Sequence, residues 1–372
     1  MDFTPGEAEA EVARLAVQVL APTARDEAPA AAGQAAGADF DQALWKELGS
    51  SGLLSLALPA AIGGDGLGVQ ATAAVLTAAG RHAARLPALA TLALGVLPVA
   101  RSADTGLQRL LLAGVASGET ILTAAIREPS CPMPAVPRTT ASAAGTLTGV
   151  KTGVPYAAAA RWILVPAAAA AGPVIAIVEP DADGLSCQRT RSSSGLPEYT
   201  IRLDQTPVLH VLDGCSVAQL YELAIAGACA VADGVVATAL ELTTAHVRTR
   251  EQFGRPLATF QAVAGQIADV YATARTLHLA TMSACWRLDT GRDAGRDTDV
   301  AAYWLAEHGP VALRTCHHLH GGLGMDISYP LPRYSALMTD LVALVGGADD
   351  ALTRLSQREA GRPEPGQPEA GA

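Results

Sequence analysis

Apolar residues recur three and four positions apart over residues 7–19, 41–50 and 70–79, the spacing that gathers them on one face of an α-helix. Asp39 or Asp41 stands where a short polar side chain caps the second of these. The glycine-rich stretch 63–68 reads as a connection. From about Glu119 to Val211 the rhythm shortens to β-prone runs at 120–126, 162–165, 174–178, 199–203 and 208–211, punctuated by Pro, Gly, Ser and Asp. This predicts an antiparallel β domain. Long helical periods return at 216–249, 259–290, 297–318 and 337–357. Each is tens of ångströms long at about 1.5 Å per residue, and together they predict a four-helix bundle.

The pattern is therefore α+β: an N-terminal helical domain (1–118), a central antiparallel β domain (119–215) and a C-terminal four-helix bundle (216–357). Residues 358–372, rich in Pro, Gly and Glu and without periodicity, are expected to form a disordered tail. A chain of 372 residues exceeds the single-core limit of about 250–300, in keeping with several domains. The hydrophobic half of the composition is largely alanine, with 4% aromatic and 17% charged residues, which suits closely packed helices.

A net charge of −10 argues against nucleic-acid or anionic-membrane partners, which need clustered positive surface. The six cysteines lie far apart with no C-x-x-C pair, so reduced thiols are expected. Residues 1–10 are acidic rather than signal-like, and 86–100 is too short and too interrupted by proline to span a bilayer, which takes about 20 apolar residues. A cytoplasmic, soluble protein is the expectation.

Two segments stand apart chemically. Arg248 to Gln261 joins two long helices through Phe253-Gly254-Arg255-Pro256. It sets Arg250 beside free backbone amides, either as an anion site or as a capped turn whose arginines meet solvent or a carboxylate. In His317-His318-Leu319-His320-Gly321-Gly322, adjacent glycines end a helix and allow a ligand to approach the backbone. The histidine spacing points around a helix rather than converging, so no metal site is expected.

Arg250-Glu251-Gln252-Phe253-Gly254 with Phe260-Gln261, followed by His320-Gly321-Gly322-Leu323-Gly324, is similar to the signature of the acyl-CoA dehydrogenase family. Ile62-Gly63-Gly64 agrees, as does Ile126-Arg127-Glu128-Pro129 at the place of that family's T-E-P motif. The resemblance covers essentially the whole chain. It implies FAD shared between subunits of a tetramer, an acyl-CoA thioester substrate, and an electron-transfer flavoprotein or other acceptor. The residues it assigns to a neighbouring subunit's FAD are Arg250, Phe253 and Gln261, with the backbone at Gly321 and Gly322. His318 stands where glutamine is common, and can still donate one hydrogen bond.

Set against that family, the chain departs where chemistry is done. The carboxylate that removes the α-proton, while hydride leaves the β-carbon for the flavin, falls at Val345 by ungapped counting, or at Ala224 for members that carry it on the first bundle helix. Neither accepts a proton. Glu222 is turned about 200° from Ala224 on a helix, and Asp349 and Asp350 read as solvated residues of the last helix. The flavin-cradling E-P-x-x-G-S-D becomes Glu128-Pro129-Ser130-Cys131-Pro132-Met133-Pro134, and the W-I-T-N segment becomes Lys151-Thr152-Gly153-Val154-Pro155-Tyr156. Proline removes the amide donors such a cradle uses. The half-site lent to a neighbour is kept and the chain's own is eroded. That is the division of labour of the base-lacking subunit in heterotetrameric, steroid-type actinobacterial members, whose partner is a base-bearing homologue. A self-sufficient oxidase- or hydroxylase-like flavoenzyme and a non-enzymatic acyl-CoA or flavin-binding scaffold are the alternatives.

Overall fold

The carboxylate of Asp41 accepts from Leu44 N (2.9 Å) and starts the helix Gln42–Ser50, while Asp39 is drawn away to Arg189 (2.7 Å). Of the two candidate caps, Asp41 is the one used. In the computed structural model, residues 6–21, 39–102 and 104–360 are described. The first run of elements comprises Glu7–Leu20, Gln42–Ser50, Val69–Arg81, Leu89–Ala100 and Thr105–Leu112. Leu89–Ala100 is apolar all round, buried on nearly every side and wound as a π-helix over Leu89–Val96, so it carries no amphipathic period to reveal it. It packs between β1 (Leu122–Ala124) and the first bundle helix.

The helix Val69–Arg81 lies backbone-close on that bundle helix, Val217–Thr249. A Cβ at Gly80 would sit 2.0 Å from Val231 O, and one at Gly234 would sit 2.0 Å from Thr77 O. Only residues without a side chain permit that approach.

The central sheet has ten strands, β1 (Leu122–Ala124), β2 (Arg127–Glu128), β3 (Cys131–Pro132), β4 (Thr140–Ala141), β5 (Thr146–Pro155), β6 (Trp162–Ala169), β7 (Gly172–Val178), β8 (Leu185–Thr190), β9 (Glu198–Pro207) and β10 (His210–Leu212), in the order β10-β7-β6-β4-β5-β2-β3, with β1 on β6 and β9 joining β5 to β8. It is mixed rather than purely antiparallel: β1 runs parallel to β6 (Trp162–Ala169), and β4 (Thr140–Ala141) touches β6 in parallel at Thr140 and Ala168. The chain leaves β1 and returns to its side only after β2 to β5, a crossover that brings β6 back in the same direction. β5 (Thr146–Pro155) and the edge strand β8 (Leu185–Thr190) escaped the periodicity, the former because two glycines interrupt it and the latter because it is mostly polar.

A capping box of Ser216 and Gln219 opens Val217–Thr249, the one described helix long and apolar enough to cross a bilayer. Its most apolar window is 83% buried within the protein, as a core helix is. Gln261–Asp289 follows, then Gly295–His320, continuous through a π-turn at Trp304–His308. The period expected at 337–357 is two helices, Leu331–Val345 and Gly347–Ala360, broken by left-handed Gly346 (φ 90°) and Gly347 (φ 84°). The helical domain thus ends in a fifth element.

That last helix corrects the expected tail, since residues 358–360 are helical and Arg358 and Glu359 are ion-paired. Buried Asp299 accepts from Arg354 Nε (2.6 Å) and Arg358 Nε (2.8 Å). The rest of the expected tail, 361–372, lies outside the described residues.

Candidate functional site

The first of two regions is the end of the bundle where the arginine and glycine motifs meet. The first bundle helix stops at Thr249, and Arg250 leaves helical geometry with φ −73° and ψ 120°. Glu251–Gln252 pairs with Arg255–Pro256 as a tight ribbon, tipped by Phe253 and Gly254 at positive φ (54° and 76°). Phe253 is 92% exposed, a large ring held out into solvent by a strained backbone. Its ring meets that of Phe260 (6.1 Å, edge-on), which Arg255 covers at 4.1 Å. Gln261 begins the next helix and is exposed. Arg250 is also exposed, and no carboxylate pairs with it among the described residues.

Two histidines join these motifs. His246, one helical turn before Arg250, stacks on His320, which precedes Gly321, with ring centroids 4.5 Å apart and planes inclined by 20°. His320 Nδ1 donates to Cys316 O (2.8 Å), and its Nε2 lies 3.0 Å from the Tyr329 hydroxyl. The remaining histidines diverge: His317 meets Ser335 Oγ (2.6 Å) and His318 faces solvent. A side chain at Gly321 or Gly322 would meet nothing within 4 Å, so the backbone there is open to a ligand. The Gly321 amide, however, donates to His317 O and His318 O as the helix C-cap, and is not a free donor.

The second region holds the residues that counting along the sequence sets at the expected base and flavin-cradle positions, and here the chain is closed. Val345 and Ala224 are each 1% exposed. Gly346, beside Val345, faces the 129–134 loop so closely that a Cβ would lie 2.8 Å from Pro132 Cγ. Ser130 and Met133 take positive φ (58° and 51°) to fold that loop inward, where Met133 is buried and Tyr221 donates to Pro134 O (3.2 Å).

Beneath the loop lies a fully buried ion pair. Lys151 Nζ donates to Glu128 Oε1 (2.7 Å), which also accepts from Thr139 N and Oγ1 (2.9 and 2.8 Å), while Arg138 N donates to Oε2 (2.7 Å). Burial by itself would raise Glu128, yet the Lys151 bond and the two amides hold its carboxyl below the usual range. Burial pushes Lys151 down. Glu222 is turned to Arg358 Nη2 (3.1 Å), and burial raises its carboxyl against the pull of that arginine.

Between the first helical run, the sheet and the bundle remains an apolar cavity of about 100 Å³, lined among others by Leu89, Tyr156, Leu196 and Leu341. Arg127 and Glu198 meet 3.8 Å apart at its rim. Asp340 on the same rim accepts from Ser193 N and Ser194 N (2.8 and 2.9 Å), tying the β8–β9 loop to Leu331–Val345. The cavity falls well short of the ~300–1,000 Å³ typical of ligand pockets. The Lys151–Glu128 pair and the Asp340 clamp carry no sequence signal, since their partners are 23 and about 146 positions apart.

Comparison with known proteins bears on both regions. Residues 7–119 match the family model described as "Acyl-CoA dehydrogenase, N-terminal domain", and residues 221–360 match "Acyl-CoA dehydrogenase, C-terminal domain". The chain is 44% identical over 316 residues to acyl-CoA dehydrogenase FadE28 of Mycobacterium tuberculosis, covering 84% of this chain and 91% of that protein. Its fold superposes on a structure of the Tcur3481-Tcur3483 steroid ACAD with a TM-score of 0.90 at 35% identity, covering 96% and 99% of the two chains. The ChsE4-ChsE5 complex of Mycobacterium tuberculosis gives 0.88 at 30%, covering 98% and 100%.

Proposed function

Since the chain belongs to the acyl-CoA dehydrogenase family, we propose that it is the base-lacking subunit of a cytoplasmic, flavin-dependent acyl-CoA dehydrogenase and completes the FAD site of a base-bearing homologous subunit. The observation that carries this reading is the pair of apolar, buried residues at both base positions, Val345 and Ala224, with Glu222 held by Arg358. α,β-Dehydrogenation needs a carboxylate to take the α-proton, and neither position supplies one.

FAD is the cofactor of the family, and solved relatives of the same fold are described with it. Bound FAD supplies the hydride acceptor. The chain's residues suit one end of that cofactor and not the other. Arg250 is exposed with no carboxylate partner among the described residues, and would hold a diphosphate by charge-assisted hydrogen bonds. Phe253, already extended from the bundle, would insert into the neighbour, with Gln261 and His318 as further polar contacts. On the chain's own side, the inward 129–134 loop and a cavity of only about 100 Å³ weigh against an isoalloxazine ring. The likeness to a steroid ACAD supports a bulky, steroid-derived acyl-CoA thioester as the substrate of the assembly.

The test is a size and absorbance profile of the chain alone and after co-expression with a base-bearing homologue. Alone it is expected to be nearly colourless and inactive. Together, a larger, yellow and active assembly should form. A full flavin complement with robust turnover by the isolated chain overturns the reading.

A further inference from the structure

Where the first and third bundle helices end, an imidazole lies beside Arg250 with no hydrogen-bond partner of its own among the described residues. His246 is half-buried, one turn from Arg250, and stacked on His320. The two rings are chemically unequal. Both nitrogens of His320 are engaged, Nδ1 to Cys316 O and Nε2 to the Tyr329 hydroxyl, which suits a neutral ring. A neutral aromatic face also favours a cation laid on it. We infer that His246, oriented by the His320 ring, is a further ligand for a diphosphate diester held by Arg250, and that it binds this anion as the imidazolium. The inference rests on the reading of Arg250 as an anion-binding residue and adds the proton that accompanies the ligand.

The charged and titratable surroundings agree. Burial lowers His246, as do His320 on the third helix and Arg250 on its own helix. Burial lowers His320, with His317 adding to it and the Cys316 carbonyl opposing. Tyr329, from the following loop, is raised by burial and stays a neutral hydroxyl. Among the described residues no carboxylate offsets these effects on His246, which favour a neutral ring in the absence of a ligand. An anion against Arg250 reverses that balance, and proton uptake then accompanies binding.

ADP-ribose is the probe, a diphosphate diester without a flavin ring whose charge is constant between about pH 5.5 and 8. The full-length chain with ¹³C-labelled histidine rings is titrated with it by NMR across that range. Binding is expected to tighten about three- to tenfold from pH 8 to pH 6, with the His246 resonance moving toward the imidazolium as ligand is added. His246→Phe, which keeps a stacked ring, should bind with nearly the same affinity at both pH values. Binding that is independent of pH in the wild type, or equally pH-dependent in His246→Phe, overturns the inference. In either case weaker binding by Arg250→Ala leaves the anion site itself standing. If ADP-ribose binds neither the wild type nor Arg250→Ala at any pH, the anion-site reading fails and takes this inference with it.

Discussion

Arg358 donates from Nη2 to Glu222 Oε1 at 3.1 Å while its Nε donates to buried Asp299 at 2.8 Å, so the carboxylate two residues from Ala224 is committed to holding the last helix in place. Two carboxylates and two arginines form that clamp, with Arg354 as its fourth member. Glu222→Gln should therefore leave turnover of the co-expressed assembly within about twofold, far from the ~10²–10⁴-fold loss that follows removal of a general base. Arg358→Ala should lower stability by about 1–3 kcal/mol, because hydrogen bonds to charged groups are lost at a partly buried site. Steady-state rates and denaturant melts check the two halves.

Val345→Glu restores a carboxylate by sequence but places it at a site that is 1% exposed and walled by the 129–134 loop. The group would be taken out of water, with Arg354, whose Nη1 donates to Val345 O (3.5 Å), already committed to Asp299. We expect no dehydrogenase activity from the isolated variant and a destabilisation of about 2–4 kcal/mol. Ordinary turnover rates from this single change would mean that the loop admits flavin after all.

Removing Lys151 strands Glu128 in the interior with three neutral donors and no countercharge. Lys151→Ala should cost about 3–5 kcal/mol, whereas Lys151→Met combined with Glu128→Gln should recover most of it, since neither charge is then left buried and the amide carbonyl introduced at position 128 can still accept from Thr139. Urea denaturation of the single and double variants measures the difference. Equal losses in both would place the stabilisation in the hydrogen bonds to Thr139 and Arg138 rather than in the ion pair.

Arg250→Ala in the co-expressed assembly tests the trans contact. A charge-assisted hydrogen bond to diphosphate contributes about 1.5–3 kcal/mol, or roughly 10–150-fold in affinity. The variant is expected to form a pale complex of unchanged size. Full retention of FAD in an intact complex would discard the contact.

Burial depresses His82, His246 and His320 in the folded state. Below about pH 6.5 the unfolded chain binds protons that these folded rings refuse, so their contribution to stability is present above that pH and is lost on acidification. The melting temperature of the isolated chain should fall from about pH 7.5 to 5.5, with a shallower fall in His320→Gln. Glu222 and Glu198, raised by burial, act in the opposite sense nearer the carboxylate range. A profile that rises throughout acidification would show that the histidines do not govern this window.

Local patterns were enough to establish the succession of helices, strands and helices. The motif segments around Arg250 and Gly321 were legible because each is written in consecutive residues. Leu89–Ala100 was not legible, because a helix buried on all sides has no polar face to set a period. The parallel β1–β6 pairing, the Lys151–Glu128 pair and the reach of Arg358 to Glu222 across 136 positions depend on chain segments that meet only after folding. The residues of one motif also acquired different tasks in three dimensions: Gly321 spends its amide on a helix cap, while His246, one turn before Arg250, is brought against His320 of the distant glycine motif. Sequence determined which groups the chain possesses, since composition and local periodicity are properties of neighbouring residues. Tertiary packing decided which of those groups are free to act, because burial and hydrogen-bond partners are set by residues distant in the chain.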